Sequence, residues 1–275
     1  MNVFNILFKT HIKQNNKEKK AYRWHVAITI LILFIIGAVL NIPFSREVKR
    51  LSVEAGVNNV HLNNSIFTDI VNTGVSSLVL GVFLVIVGLW ISSKTNLGAP
   101  IIARIFSQKK VRTLIGLNPF LSSIILAIVV AVILLGLFEL QKAFYPVTGK
   151  MARPSKPFYV FVSFSAGITE EIMFRLGLMS LIIAVIQFVK KAATPSNAMV
   201  WVGIMVSAIC FGLIHIPFSK NFVNLTLFSI TVTMVGNLIT GITFGWVFWK
   251  RGLLVAIACH VIFDLVFHVI GSPFN

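Results

Sequence analysis

Seven ionisable side chains stand inside long apolar runs in the second half of this chain: Glu170, Glu171, Arg175, His215, His260, Asp264 and His268. Ionisable groups at membrane depth cost several kcal/mol each, so they face a bundle interior and pair with one another. The whole chain has only eight acidic residues, and two of them are adjacent here. Glu171 and Arg175 are four residues apart, which puts them on one helix face at salt-bridging distance. Glu170 is turned about 100° from Glu171 by helix geometry, so it is free to face a cavity while its neighbour is neutralised. His260 and Asp264 repeat the spacing of four, as do Phe211 and His215. A carboxylate held among few waters suits a general base, and two imidazoles beside it can orient a water, hold a metal or stabilise an oxyanion. One carboxylate and two imidazoles from three helices make a site that can activate water for amide hydrolysis.

Each residue also has a plainer reading. Glu171 with Arg175 is equally well a structural intramembrane ion pair. His215, just before Ile-Pro-Phe, can cap a helix end near the interface, and Asp264 can serve as counter-ion to Arg175 instead of orienting His260. His268 reads as structural or interfacial, and Phe211 as packing. Cys210 and Cys259 read as apolar thiols, forming neither a disulfide framework nor a paired metal motif. The joint reading rests on recurrence: costly residues appear in order on separate polar-bearing spans.

These residues must be positioned by membrane helices. The 275 residues are 57% hydrophobic and 12% charged, with a mean hydropathy of +0.91, too apolar to cover a water-soluble surface. About seven runs have the length to cross a bilayer, with eight as the alternative count: roughly 24–42, 75–93, 118–138, 158–189, 198–217, 223–249 and 252–271. The expected fold is an all-α polytopic transmembrane bundle. Its expected parts are a basic cytoplasmic arm (1–23), N-terminal transmembrane helices and loops (24–150), and a C-terminal core (151–275). The first run lacks a small-residue cleavage site and is expected to be a retained helix. The stretch from Arg46 to Ser65 suggests a short amphipathic helix followed by a polar loop.

The net charge of +16 lies in the connections, where it reads as a topology signal and not as a nucleic-acid surface. Counting Lys and Arg in alternate connections places 15 on the N-terminal side and 8 on the other. A cytoplasmic N-terminus and a C-terminus on the opposite side are therefore expected. The fourth run is too long for one upright crossing and is expected to tilt strongly or break near Gly177. Glu170 lies about twelve residues into that run, roughly 18 Å along a helix. It can meet His215 only if that helix tilts or the fifth continues past Pro217.

Three stretches, "EEIMFR" (Glu170 to Arg175), "FGLIH" (Phe211 to His215) and "HVIFD" (His260 to Asp264), resemble in order the E-E-x-x-x-R, F-x-x-x-H and H-x-x-x-N/D motifs. Those motifs mark the CAAX prenyl endopeptidase and bacteriocin-processing intramembrane protease family. The resemblance covers roughly residues 155–271. It implies a water activated by Glu170 and His215, with Glu171 beside it and Arg175 organising the glutamates or the substrate end. His260 and Asp264 would then support the oxyanion or the site geometry. Whether such a site works by glutamate alone or with a divalent metal such as zinc is left open. If a metal is used, it would fall to His215 and His260 with Glu170; the zincin pattern H-E-x-x-H is absent, so a conventional zincin arrangement is unsupported. Asp264 stands where many relatives carry Asn, which removes an amide donor and adds negative charge.

The function this implies is a cell-membrane endopeptidase acting on membrane-associated, prenylated or hydrophobic peptides, with the lipid bilayer as its other partner and no nucleic acid. Two other classes compete. A non-catalytic bacteriocin-immunity or membrane scaffold protein would tolerate Glu170→Gln, because shape is kept. A proton-coupled transporter would show flux without cleavage, but the chain lacks an inverted repeat and its ionisable residues gather in one half.

Overall fold

The computed structural model describes residue 12 and residues 16–57, 64–107, 118–145 and 149–272. The parts of the expected arm at 1–11 and 13–15, and of the connections at 58–63, 108–117 and 146–148, lie outside the described residues. Among those described, the elements are helices: α1 (Asn16–Ala21), α2 (Arg23–Leu40), α3 (Ile42–Glu54), α4 (Ile66–Thr95), α5 (Pro100–Phe106), α6 (Asn118–Phe144), α7 (Lys156–Glu170), α8 (Ser180–Val189), α9 (Asn197–Ser219), α10 (Leu227–Arg251) and α11 (Leu253–Asp264). Two π-helical segments complete them, π1 (Glu171–Met179) between α7 and α8, and π2 (Leu265–Gly271) after α11. No strand occurs among these residues, only an isolated antiparallel bridge between Gly149 and Val223.

Among the described residues, seven helical spans are long and apolar enough to cross a membrane. Helices prevail because a bilayer offers no water to satisfy backbone N–H and C=O groups, which must pair within the segment. Their starts carry local signals. Ser65 and Ser196 accept hydrogen bonds from the amides of Thr68 and Met199. Thr226 and Ser229 cap each other reciprocally, which delays α10 to Leu227, four residues later than hydropathy alone suggests. Pro43, Pro100 and Pro157 sit in first turns, where a missing N–H costs nothing.

The faces divide as lipid and core require. On α2, Trp24, Ile28, Ile32 and Ile36 are exposed, whereas Val26, Ile30, Phe34 and Gly37 are buried. The expected amphipathic helix is α3; it begins at Ile42, before the charged run, and buries Ile42, Phe44 and Leu51. Arg46 ion-pairs with Asp69 near the start of α4.

The two ends of the bundle are distinct. At the N-terminal end, the Lys19 ammonium donates to the carbonyls of Ser92 (2.8 Å) and Leu97 (3.2 Å), and burial lowers its pKa to about 8. The Ile12 amide donates to Lys250 O, and Leu253 N to Gly98 O. Trp201 meets Trp249 edge-on at 6.2 Å, and Arg251 donates to Pro119 O at 3.3 Å. Gly252, at φ +84°, makes the sharp turn from α10 into α11. At the other end Phe44 packs on Tyr159 (5.3 Å) and Phe218 (6.2 Å), and Tyr145 packs on Phe228 (4.2 Å).

Where α7 crosses α11, Gly167 lies against Val261 and Ile257. A Cβ there would stand 3.1 Å from Val261 N and 3.4 Å from Ile257 O. This close approach brings the glutamates of one helix to the histidine of the other. Gly167→Ala is expected to destabilise the solubilised protein by about 1–3 kcal/mol through overpacking, read as a lower unfolding midpoint. An unchanged midpoint would show that the crossing has slack.

Candidate active site

Of the two expected ways of fitting the long fourth span, a strong tilt or a break near Gly177, the break does not occur. The fourth span is continuous from Lys156 to Val189, and its winding changes at Glu171. The Ser180 amide reaches back five residues to Arg175 O, and its hydroxyl donates to the same carbonyl at 3.0 Å. π segments concentrate at functional sites in helical proteins, and here both follow a candidate carboxylate directly. π1 begins at Glu171 and π2 just after Asp264.

Glu171 is fully buried and held by two partners. Arg175 Nε donates to its Oε2 at 3.2 Å, the pairing expected from the spacing. His260 Nδ1 donates to its Oε1 at 3.0 Å. Arg175 is equally buried; its Nη1 donates to Ser207 Oγ at 3.2 Å, and Ser207 in turn donates to Phe174 O at 3.0 Å. The guanidinium carbon stands 5.3 Å from the Phe211 ring centroid. Asp264 contacts His260, not Arg175: its Oδ1 is 3.7 Å from His260 Nε2. The nearer partner of His260 is Glu171, from another helix.

Glu170 faces the other way, as its rotation from Glu171 requires. It lines a cavity of about 1220 Å³ together with His215, His260, Asp264 and Phe211. Its Oε1 lies 4.0 Å from His215 Nε2 and its Oε2 3.9 Å from His260 Nε2. These separations are too long for direct hydrogen bonds but let one water touch both groups. His215 Nδ1 donates to Phe211 O at 2.7 Å, which leaves Nε2 as an acceptor. The meeting is possible because α9 continues through Pro217 to Ser219. The mouth of the cavity is basic, with Lys49, Lys142, Lys150 and Lys220, whereas its floor holds Glu170 and Asp264.

Two contributors carry no signal in the sequence. Phe244 stacks on the His260 ring at 4.3 Å, and Ser207 holds Arg175. His268 stacks on Tyr159 at 5.2 Å and borders the cavity. Cys259 is buried and donates to Ser123 O at 3.4 Å. Among the described residues, no group of three His, Cys, Asp or Glu side chains is placed to hold a metal ion. The conditional ligand set of Glu170, His215 and His260 does not close in this way.

The fold and site together define a polytopic helical membrane protein with a buried carboxylate–guanidinium–imidazole lattice under an open carboxylate. The family model for Type II CAAX prenyl endopeptidase, Rce1-like, matches residues 152–266, the segment that carries Glu170, Glu171, Arg175, His215, His260 and Asp264. No curated protein and no solved structure matches the chain.

Proposed function

We propose that the chain is a multi-pass cell-membrane endopeptidase that hydrolyses peptide bonds in membrane-associated or hydrophobic substrates by a glutamate-dependent mechanism. The observation that carries this reading is the Glu170 carboxylate, open to the cavity and within 4.0 Å of the Nε2 atoms of both His215 and His260. A water placed there donates one proton toward Glu170 and the other to the free Nε2 of His215. Glu170 takes its proton as the water oxygen attacks the scissile carbonyl carbon. The resulting oxyanion is met by the Nε2–H of His260 as an imidazolium, protonated at both nitrogens between Glu171 at Nδ1 and Asp264 beside Nε2 and held by stacking on Phe244. The proton on Glu170 then passes to the leaving amine, and the tetrahedral adduct collapses to a carboxylic acid and a free amine.

In this scheme Glu171 and Arg175 are positioning residues. Asp264, at 3.7 Å from His260 Nε2, biases that nitrogen toward carrying a proton, which is the form that can donate. Its charge substitutes for the amide donor that Asn would offer.

The test is His215→Ala, which removes a group at the cavity wall whose hydrogen bond to Phe211 O stays within its own helix. Cleavage is expected to fall by about 10²-fold or more, with membrane insertion and thermal stability kept. Full activity in this variant would overturn the water-activating role. A non-catalytic shield or scaffold would leave the membrane peptidome unaltered in the first place.

A further inference from the structure

We propose that one face of α10 is a ledge that binds the main chain of the substrate in extended form, with Thr233 and Asn237 making the hydrogen bonds. The proposal rests on the peptidase reading of the cavity and adds to it how the substrate is held.

The ledge begins as a sequence pattern. Ser229, Thr233, Asn237 and Thr240 recur at intervals of four, four and three in an otherwise apolar span, so they share one helix face. All four line the cavity that holds Glu170, His215 and His260, and Gly236 lines it between them. Phe244, further along the same face, stacks on His260. Asn237 stands beside the helix that carries His215: its Cβ lies 3.6 Å from where a Cβ on Gly212 would be.

The polar atoms of this face are not all used within the protein. A threonine inside a helix can satisfy its hydroxyl on the carbonyl four residues back. Thr29, Thr169, Thr231 and Thr243 each do so at 2.8 Å. Thr240 also donates within its own helix, to Gly236 O and Asn237 O at 3.2 Å. Thr233 differs, because among the described residues its hydroxyl has no partner. Asn237 donates from Nδ2 to Thr233 O at 2.8 Å, which fixes the amide. Its Oδ1 and second N–H are left for a ligand.

Polar groups at membrane depth are costly unless they are hydrogen-bonded. Two unused ones on a cavity wall point to a ligand that carries donors and acceptors of its own. A peptide main chain offers an N–H and a C=O at nearly every residue, whereas an acyl or prenyl chain offers neither. Gly236 lets that main chain come close, since a Cβ there would meet nothing within 4 Å.

The spacing selects an extended chain. Residues four apart on a helix are about 6 Å apart along its axis, and alternate residues of an extended chain are about 6.6 Å apart. Alternate residues also turn their N–H and C=O groups to the same edge. Thr233 and Asn237 therefore meet successive groups on one edge of the substrate. Counted back from Phe244, Asn237 lies about 10 Å and Thr233 about 16 Å along the helix. At about 3.3 Å per residue, these positions fall roughly three and five residues from the bond attacked beside His260. The substrates that fit are segments unfolded over about five residues on one side of that bond.

Binding to the full solubilised chain carrying Glu170→Gln tests the ledge without consuming the peptide. The probe is a peptide mixture from a digest of host-cell membrane proteins, with retained peptides quantified by mass spectrometry. Thr233→Val is expected to weaken retention about 2- to 10-fold, the range of one neutral hydrogen bond. Adding Asn237→Leu should weaken it further by a similar factor. Thr233→Ser keeps the hydroxyl and should retain peptides as the parent does. Thr231→Val makes the same change at an exposed position outside the cavity and should also match the parent. The unfolding midpoint of Thr233→Val should not fall, because its hydroxyl holds nothing within the protein. A parent that retains no peptide, retention indifferent to both changes, or an equal loss in Thr231→Val would overturn the proposal. A loss matched by a lower midpoint would overturn it too, by making the face structural.

A retained peptide then reports the register. Replacing its amides by esters one at a time removes an N–H and weakens a carbonyl acceptor. Binding should fall only within a stretch of about three residues, and the fall should vanish when Thr233→Val and Asn237→Leu are present. A loss spread evenly along the peptide, or one that persists in the doubly substituted chain, would sink the extended register. Ledge-dependent retention by a chain whose Glu170 form cleaves nothing would end the peptidase reading and keep the ledge. Cleavage that ignores Thr233 and Asn237 would do the reverse.

Discussion

Glu170→Gln is expected to reduce peptide cleavage by roughly 10²- to 10⁴-fold, the range that a positioned general base contributes. The amide matches the carboxylate in shape but cannot take a proton from water. Stability should hardly change, because Glu170 is about a quarter exposed and its approaches to His215 and His260 are 4.0 and 3.9 Å, longer than hydrogen bonds. The decisive measurement compares the membrane peptidomes of cells carrying either version, beside the unfolding midpoint of each purified protein. Lost cleavage with an unmoved midpoint fits the general base. Equal loss of both would make Glu170 a structural residue, and unchanged cleavage would remove it from the chemistry.

Arg175→Ala is expected to act through stability instead. Arg175 is fully buried, holds Glu171 at 3.2 Å and donates to Ser207. Removing one member of a buried pair leaves an uncompensated charge and costs about 3–5 kcal/mol. Glu171 would keep only His260, and the imidazole would lose the fixed carboxylate that sets its angle. The solubilised variant should unfold at markedly lower temperature and show little cleavage. Arg175→Lys keeps the charge but not the forked donor set that reaches both Glu171 and Ser207, so it should recover part of the stability. A variant with Ala at this position and wild-type stability would mean that the lattice beneath the site is dispensable.

The sequence was most legible where a single helix carries the signal. Seven spans were countable because a run of about twenty apolar residues has no other use, and Glu171 with Arg175 was readable from a spacing of four. Legibility failed where the determinant lies on another helix or in winding. The spacing of His260 and Asp264 suggested a pair, yet the shorter contact of His260 is to Glu171, 89 residues away, for which local periodicity carries no trace. Phe244 is, in sequence, one more apolar residue between Gly241 and Gly245. The excess length of the fourth span was visible, but its change of winding at π1 was not, because π winding leaves no compositional mark. The late start of α10 followed from the reciprocal cap of Thr226 and Ser229, whose bonds outweigh the apolar residues before them.

The winding at π1 has a consequence for how the span is divided between lipid and interior. In an α-helix each residue advances about 100° round the axis; in a π-helix the advance is smaller, so neighbours in sequence stay closer to one side. Six of the nine π1 residues are buried, including the consecutive run Phe174, Arg175 and Leu176. The wider coil lets one short length of chain hold an ion pair and its apolar jacket on the same side, directly beneath the open carboxylate.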